Sequence, residues 1–236
     1  MHMHDDLPTA APPSRLSTML EVRAPLEWAS LLLSAPTLKS APRGDGRPVI
    51  LIPGYRANEK SMRPLGRYLG YLGYKVYDWE LGRNRGDVET YIRHVGAQSQ
   101  RISGDLGGAR VTLIGWSLGG VVAREVARQY EPAVREVITM GTPVIGGPKY
   151  TVVASRFAEI ENLDLDRFEE EVHKRNSIGI KQPVTAIYSK SDGVVGWQAC
   201  IDVYNEHARN VEVSGSHFGL GANSRVWRLI ADTLGT

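Results

Sequence analysis

The sequence holds a single cysteine, Cys200, so no intramolecular disulfide can form, and no Cys/His cluster has the spacing of a zinc site. Neither sign of charge is in excess. The 28 Lys and Arg against 26 Asp and Glu leave a net charge of +2, with no electrostatic footprint for nucleic acid. Arg83 and Arg85 lie close together, but Asp87 and Glu89 follow at once, as in a solvated loop entering a helix. Long apolar runs are also missing. The richest, Leu16 to Leu33, is interrupted by Glu21, Arg23, Pro25 and Glu27, and stable membrane insertion is not expected. Met1 to Pro13, which includes His2 and His4, lacks the basic and apolar regions of a signal peptide, so a cytoplasmic location is expected. No Walker or Rossmann glycine pattern stands between a strand and a helix. Gly104-Asp105-Leu106-Gly107-Gly108 precedes a strand and reads as a loop, so no cofactor is expected and no metal.

What the chain does have is Gly115-Trp116-Ser117-Leu118-Gly119-Gly120. Before it, Arg110 to Ile114 is short, apolar and β-branched, the pattern of a buried strand. After it, Leu118, Val121, Val122, Val126, Ala127 and Tyr130 recur at helical spacing. Arg124, Glu125, Arg128 and Gln129 are expected on the opposite, polar face. A Ser between such elements is held on a sharp turn with its hydroxyl exposed, and Gly115 and Gly119 remove side chains that would collide there. The helix N-terminus behind it offers N–H groups and positive dipole to an oxyanion. Ser117 is therefore expected to be the nucleophile of a serine hydrolase.

A nucleophilic Ser needs a base, and the base needs a carboxylate to orient it. After an elbow of this kind the chain order is Ser, then Asp or Glu, then His. Pro183 to Ser189 reads as a strand that ends near Asp192-Gly193, where Gly lets the chain turn and project the carboxylate. Asp164, a cap for a charged helix, and Asp202, further from the strand end, are weaker choices. Asn210 to Val213 reads as a last strand, and His217 follows on a loop rich in Gly and Ser. His94, His173 and His207 occupy helical or surface-like contexts. Asp192 and His217 complete the expected triad.

With these residues in place, the segment from about Pro48 onward resembles an α/β-hydrolase of the esterase/lipase type. The resemblance is carried by Pro53-Gly54-Tyr55, Gly115 to Gly119, Asp192-Gly193 and His217. It implies two oxyanion donors. One is the N–H of Leu118, after the nucleophile; the other comes from the loop after the early strand and is assigned to Tyr55, with Arg56 as the fallback. Many relatives carry His-Gly where this chain has Pro53-Gly54. The resemblance implies a cofactor-independent carboxylic ester hydrolase acting on small-molecule esters with short to medium acyl chains. Lipase, thioesterase and acyltransferase activities share the same residues, and a non-catalytic member binding a small apolar ligand is a further alternative.

The expected architecture is α/β: a mostly parallel, doubly wound sheet flanked by helices. Strands are expected near 49–53, 74–79, 110–115, 134–140, 183–189 and 209–213. Helices are expected near 61–72, 87–103, 117–130, 155–175 (one helix or two) and 223–234, the last with Val226, Leu229, Ile230 and Leu234 inward. Residues 1–46 form a tail and an amphipathic segment packed on a catalytic domain of residues 47–236. Residues 146–182 are weighed equally as a small cap and as a surface excursion. Within the N-terminal segment, Leu26 to Leu33 either packs on the sheet or touches a lipid surface. Gly141-Thr142-Pro143 is expected to shape the pocket without taking part in chemistry, and Cys200 to be a small buried residue.

Overall fold

Pro48–Ile52 (β1) is buried at every position, and its side chains alternate between two cores. Val49 and Leu51 face one apolar cluster, Ile50 and Ile52 the other, so this strand has protein on both sides. The structure, a computed structural model, describes residues 8–235, without the side chains of Ser30, Leu32, Leu33, Ala35 and Glu161. His2 and His4 lie outside the described residues. The other strands are β2 (Lys75–Asp78), β3 (Val111–Trp116), β4 (Val134–Met140), β5 (Val184–Tyr188) and β6 (Arg209–Glu212). All pair in parallel, in the order β2-β1-β3-β4-β5-β6. The chain leaves β1 toward one edge and returns beside it as β3, so a crevice opens between the C-terminal ends of β1 and β3. In open parallel sheets, ligands bind at such a reversal.

The helices are α1 (Arg15–Met19), α2 (Ala24–Ser30), α3 (Ala35–Lys39), α4 (Glu59–Leu72), α5 (Val88–Asp105), α6 (Leu118–Gln129), α7 (Ala154–Glu161), α8 (Leu165–Asn176) and α9 (Ser224–Leu234). α4 and α9 share one core with β1, β3 and β4; α5 and α6 share the other. The termini of these helices follow their caps. Asn58, Asp87 and Asn223 accept N–H groups at the starts of α4, α5 and α9. Among the described residues, no helix is long and apolar enough to cross a membrane.

Of the one or two helices expected over 155–175 the structure has two, because Asn162 turns left-handed at φ 49° and Asp164 caps a new start, accepting from Asp166 and Arg167 N–H groups. Other expectations require correction. The polar face of α6 meets solvent only toward its end, where Gln129 is exposed and Arg128 half-buried. Arg124 and Glu125 are 2% and 3% exposed, Arg124 paired with Asp202 and Glu125 with Arg128 and Arg175. In the N-terminal segment Leu16, Met19, Val22 and Leu26 point outward, so Leu26 does not pack on the sheet, whereas Glu21 is buried. In α9 the inner face holds Trp227 and Ala231 with Val226, Ile230 and Leu234, and Leu229 is only half-buried.

Candidate active site

Ser117 follows β3 directly and adopts φ 55°, ψ −124°, a conformation costly for any residue with a side chain. The surrounding glycines explain how the turn is held. A Cβ on Gly115 would strike the backbone of Gly119 and Gly120. One on Gly119 would lie 2.7 Å from the Pro53 carbonyl oxygen, and one on Gly120 would strike the Thr142 hydroxyl. The Ser117 N–H donates to the Met140 carbonyl at 2.8 Å, and Thr142 Oγ1 donates to the Ser117 carbonyl at 3.0 Å. β4 and the residues after it thus brace the turn from beneath. Ser117 and Leu118 are half-buried, in contact with solvent.

Asp192 follows β5 and is 3% exposed. Its Oδ1 accepts the N–H groups of Val194 and Val195, both at 2.8 Å, which fixes the carboxylate and leaves Oδ2 to reach His217 Nδ1 at 2.7 Å. His217 follows β6, is 3% exposed, and has the Trp116 ring 6.1 Å away, centroid to centroid. A Cβ on Gly141, after β4, would lie 3.0 Å from both Asp192 Oδ2 and His217 Nδ1, so bare backbone packs against the pair. Burial is the largest influence on His217 and pulls its pKa down. The charge and hydrogen bond of Asp192, with the charge of Glu21, outweigh it and leave the pKa raised. Ser117 Oγ makes no hydrogen bond to a protein group among the described residues. Such contacts commonly tighten only with substrate in place.

The loop after β1 lies against the nucleophile: a Cβ on Gly54 would be 3.2 Å from Ser117 Cβ and 3.8 Å from Ser117 Oγ. Of the two candidate donors there, the Arg56 N–H is engaged, donating to the Asn84 carbonyl at 2.7 Å. The N–H groups of Tyr55 and Leu118 donate to no protein group among the described residues. Asn84, which sequence reasoning passed over, fastens this loop. It is fully buried, its Nδ2 donates to the Pro53 carbonyl at 2.9 Å, and its N–H donates to the Ala57 carbonyl at 2.8 Å. Its only signal in the sequence is a polar residue between two arginines.

Ser117, Asp192, His217 and the Tyr55 loop thus lie beyond the C-terminal ends of four parallel strands, β3, β5, β6 and β1. Asp164 caps a helix and Asp202 pairs with Arg124, so neither belongs to this group. His173 contacts Tyr204 at 3.2 Å. Cys200 is buried, which pushes its thiol pKa well above the ordinary value, away from a reactive thiolate. Among the described residues, no group of three or more His, Cys, Asp or Glu could hold a metal ion.

No protein-family model matches the sequence, and no curated protein is similar to it. Solved structures are. A lipase-esterase related protein from Clostridium acetobutylicum is 18% identical, with a TM-score of 0.61 over 81% of this chain and 97% of that one. A monoacylglycerol lipase from Paleococcus ferrophilus is 15% identical, with a TM-score of 0.62 over 83% of this chain and 96% of its own. An alpha/beta superfamily hydrolase from Oenococcus oeni is 14% identical, with a TM-score of 0.56 over 82% and 94% of the two chains. At these identities the likeness is one of fold.

Proposed function

We propose that this chain, whose fold is that of the α/β hydrolases, cleaves carboxylic esters through an acyl-enzyme on Ser117. The observation that carries this reading is the left-handed Ser117 turn beside a buried Asp192–His217 hydrogen bond of 2.7 Å. In this reading His217 Nε2 takes the Ser117 proton as Oγ attacks the acyl carbon. The N–H groups of Leu118 and Tyr55 hold the oxyanion, each contributing about 3 kcal/mol of transition-state stabilisation. Asp192, bound to Nδ1–H, fixes the tautomer that leaves Nε2 free and stabilises the imidazolium as it forms. The imidazolium then protonates the leaving alcohol. Water enters, gives a proton to Nε2 and attacks the acyl carbon, and the acid leaves as Ser117 recovers its hydrogen. Small esters with short to medium acyl chains are the substrates this reading favours.

The test is hydrolysis of p-nitrophenyl esters from acetate to palmitate, with Ser117→Ala in parallel. The expected outcome is a peak at short to medium chains and a loss of at least about a thousandfold in the variant, with an unchanged melting temperature. Full turnover by Ser117→Ala rejects the reading. One observation favours a second reading, action on long chains at an interface: Leu16, Met19, Val22 and Leu26 are exposed on the segment that touches the His217 loop. A peak at palmitate, rising above the substrate's aggregation threshold, selects it. Turnover confined to thioesters selects a thioesterase with the same residues.

A further inference from the structure

The N-terminal helical segment reaches across the molecule to the two loops that carry Asp192 and His217. Glu21, between α1 and α2, is 9% exposed in a stretch whose apolar side chains face solvent. Its Oε1 accepts the N–H of Gly193 at 2.8 Å and the N–H of His217 at 2.7 Å; its Oε2 accepts the N–H of Phe218 at 3.0 Å. One carboxylate therefore holds the residue after the acid and the backbone of the base itself. Around it the same segment adds further ties. Thr18 Oγ1 donates to the Gly193 carbonyl at 2.8 Å, so both sides of that glycine are fastened. Glu27, paired with Arg23, accepts from the N–H of Ser216 at 3.1 Å and from Ser216 Oγ at 2.7 Å. Trp28 Nε1 donates to the Phe218 carbonyl at 3.2 Å.

The glycines record how close this approach is. A Cβ on Gly193 would lie 2.8 Å from Glu21 Cγ and would also strike the Ser17 carbonyl, and one on Gly219 would strike the Glu27 carboxylate. A buried carboxylate is costly unless hydrogen bonds replace its water, and three N–H groups from two loops do so here. Neither loop satisfies those groups by itself. The geometry required of a general base is narrow, and an error of about 1 Å can lower a rate a hundredfold.

We infer that Glu21 is a positioning residue, which sets the His217 ring against Asp192 by binding the backbones of both loops at once. The inference rests on the esterase reading for its kinetic consequence but not for its structural one. The charged groups facing His217 are Asp192 from the loop after β5 and Glu21 from the N-terminal segment, with the Arg23–Glu27 pair one residue away at Ser216. Replacing Glu21 by Gln keeps its size but removes the charge and one acceptor.

The experiment is a titration of His217 by NMR on the full chain with labelled histidine, in wild type, Glu21→Gln and Glu21→Ala, together with kinetics on p-nitrophenyl butyrate. In Glu21→Gln the expected result is a lower His217 pKa, a weakened downfield Nδ1–H signal, and kcat down about tenfold to a hundredfold with KM nearly unchanged. A role confined to anchoring the chain would lower the melting temperature and leave the titration and the Nδ1–H signal where they were; that outcome overturns the inference. If neither variant folds, the wild-type amides decide. Slow exchange at Gly193, His217 and Phe218, lost together when the N-terminal segment opens, supports it, and fast exchange overturns it. If wild type neither turns over esters nor reacts with a fluorophosphonate, yet Glu21→Gln still shifts His217, the esterase reading fails and the positioning role stands. The reverse pattern, normal turnover and an unmoved His217 in Glu21→Gln, does the opposite.

Discussion

On the proposed mechanism, His217 must be neutral to accept a proton from Ser117. Its raised pKa therefore keeps it cationic, and inactive as a base, at a pH where an ordinary histidine, at 6.5, would already serve. The acid limb of kcat/KM is expected to have its midpoint above 6.5, and Asp192→Asn should move that midpoint downward while lowering kcat by roughly 10³–10⁴. A midpoint below 6.5 in wild type would mean that burial outweighs the two carboxylates. The same shift touches stability. Protonated His217 favours the folded state fully below the unfolded pKa, and that contribution fades as pH rises through the folded one. Individual residues differed in how far the sequence announced them. Ser117 was legible because its turn demands Gly at particular offsets, and Asp192 and His217 because chain order restricts the choice. Glu21 left no local trace: its partners are backbone N–H groups 172 to 197 residues away, and in the sequence it reads only as an interruption of an apolar segment.

Elements show the same division. Strand positions were legible because β1, β3, β4 and β5 are buried on both sides and read as short apolar runs. The register and the brace under the elbow depend on pairing between strands, which periodicity does not encode. α6 misled because Arg124 and Glu125 look like a solvent face, whereas their charges are met by Asp202 and Arg175 from elsewhere in the chain and by Arg128 of the same helix. Removing one partner of a buried ion pair leaves the other uncompensated. Arg124→Met is therefore expected to cost about 3–5 kcal/mol in urea unfolding, and Arg124→Met with Asp202→Leu distinctly less than the sum of the single changes. Additive costs would show that the two charges do not depend on one another.

For the molecule as a whole, the parallel sheet supplies a stiff floor, and the site is assembled from loops at one end of it. Cooperative openings should follow that division. In hydrogen exchange followed by mass spectrometry, β3 and β4 are expected to exchange only through global unfolding. The loops at 189–195 and 214–220 should open earlier and together with residues 15–30. Independent opening of these three segments would show that the carboxylates of Glu21 and Glu27 do not couple them.

The distance along the chain between Glu21 and His217, 196 residues, has a consequence for how the protein is made. At about 5–20 residues per second, a ribosome adds His217 roughly ten to forty seconds after Glu21. Through that interval most of the sheet can form, but Glu21 and Glu27 have no finished loop to grip. On the proposed mechanism, the nascent chain thus carries Ser117 on its turn well before His217 is added, and ester cleavage waits until synthesis has passed β6.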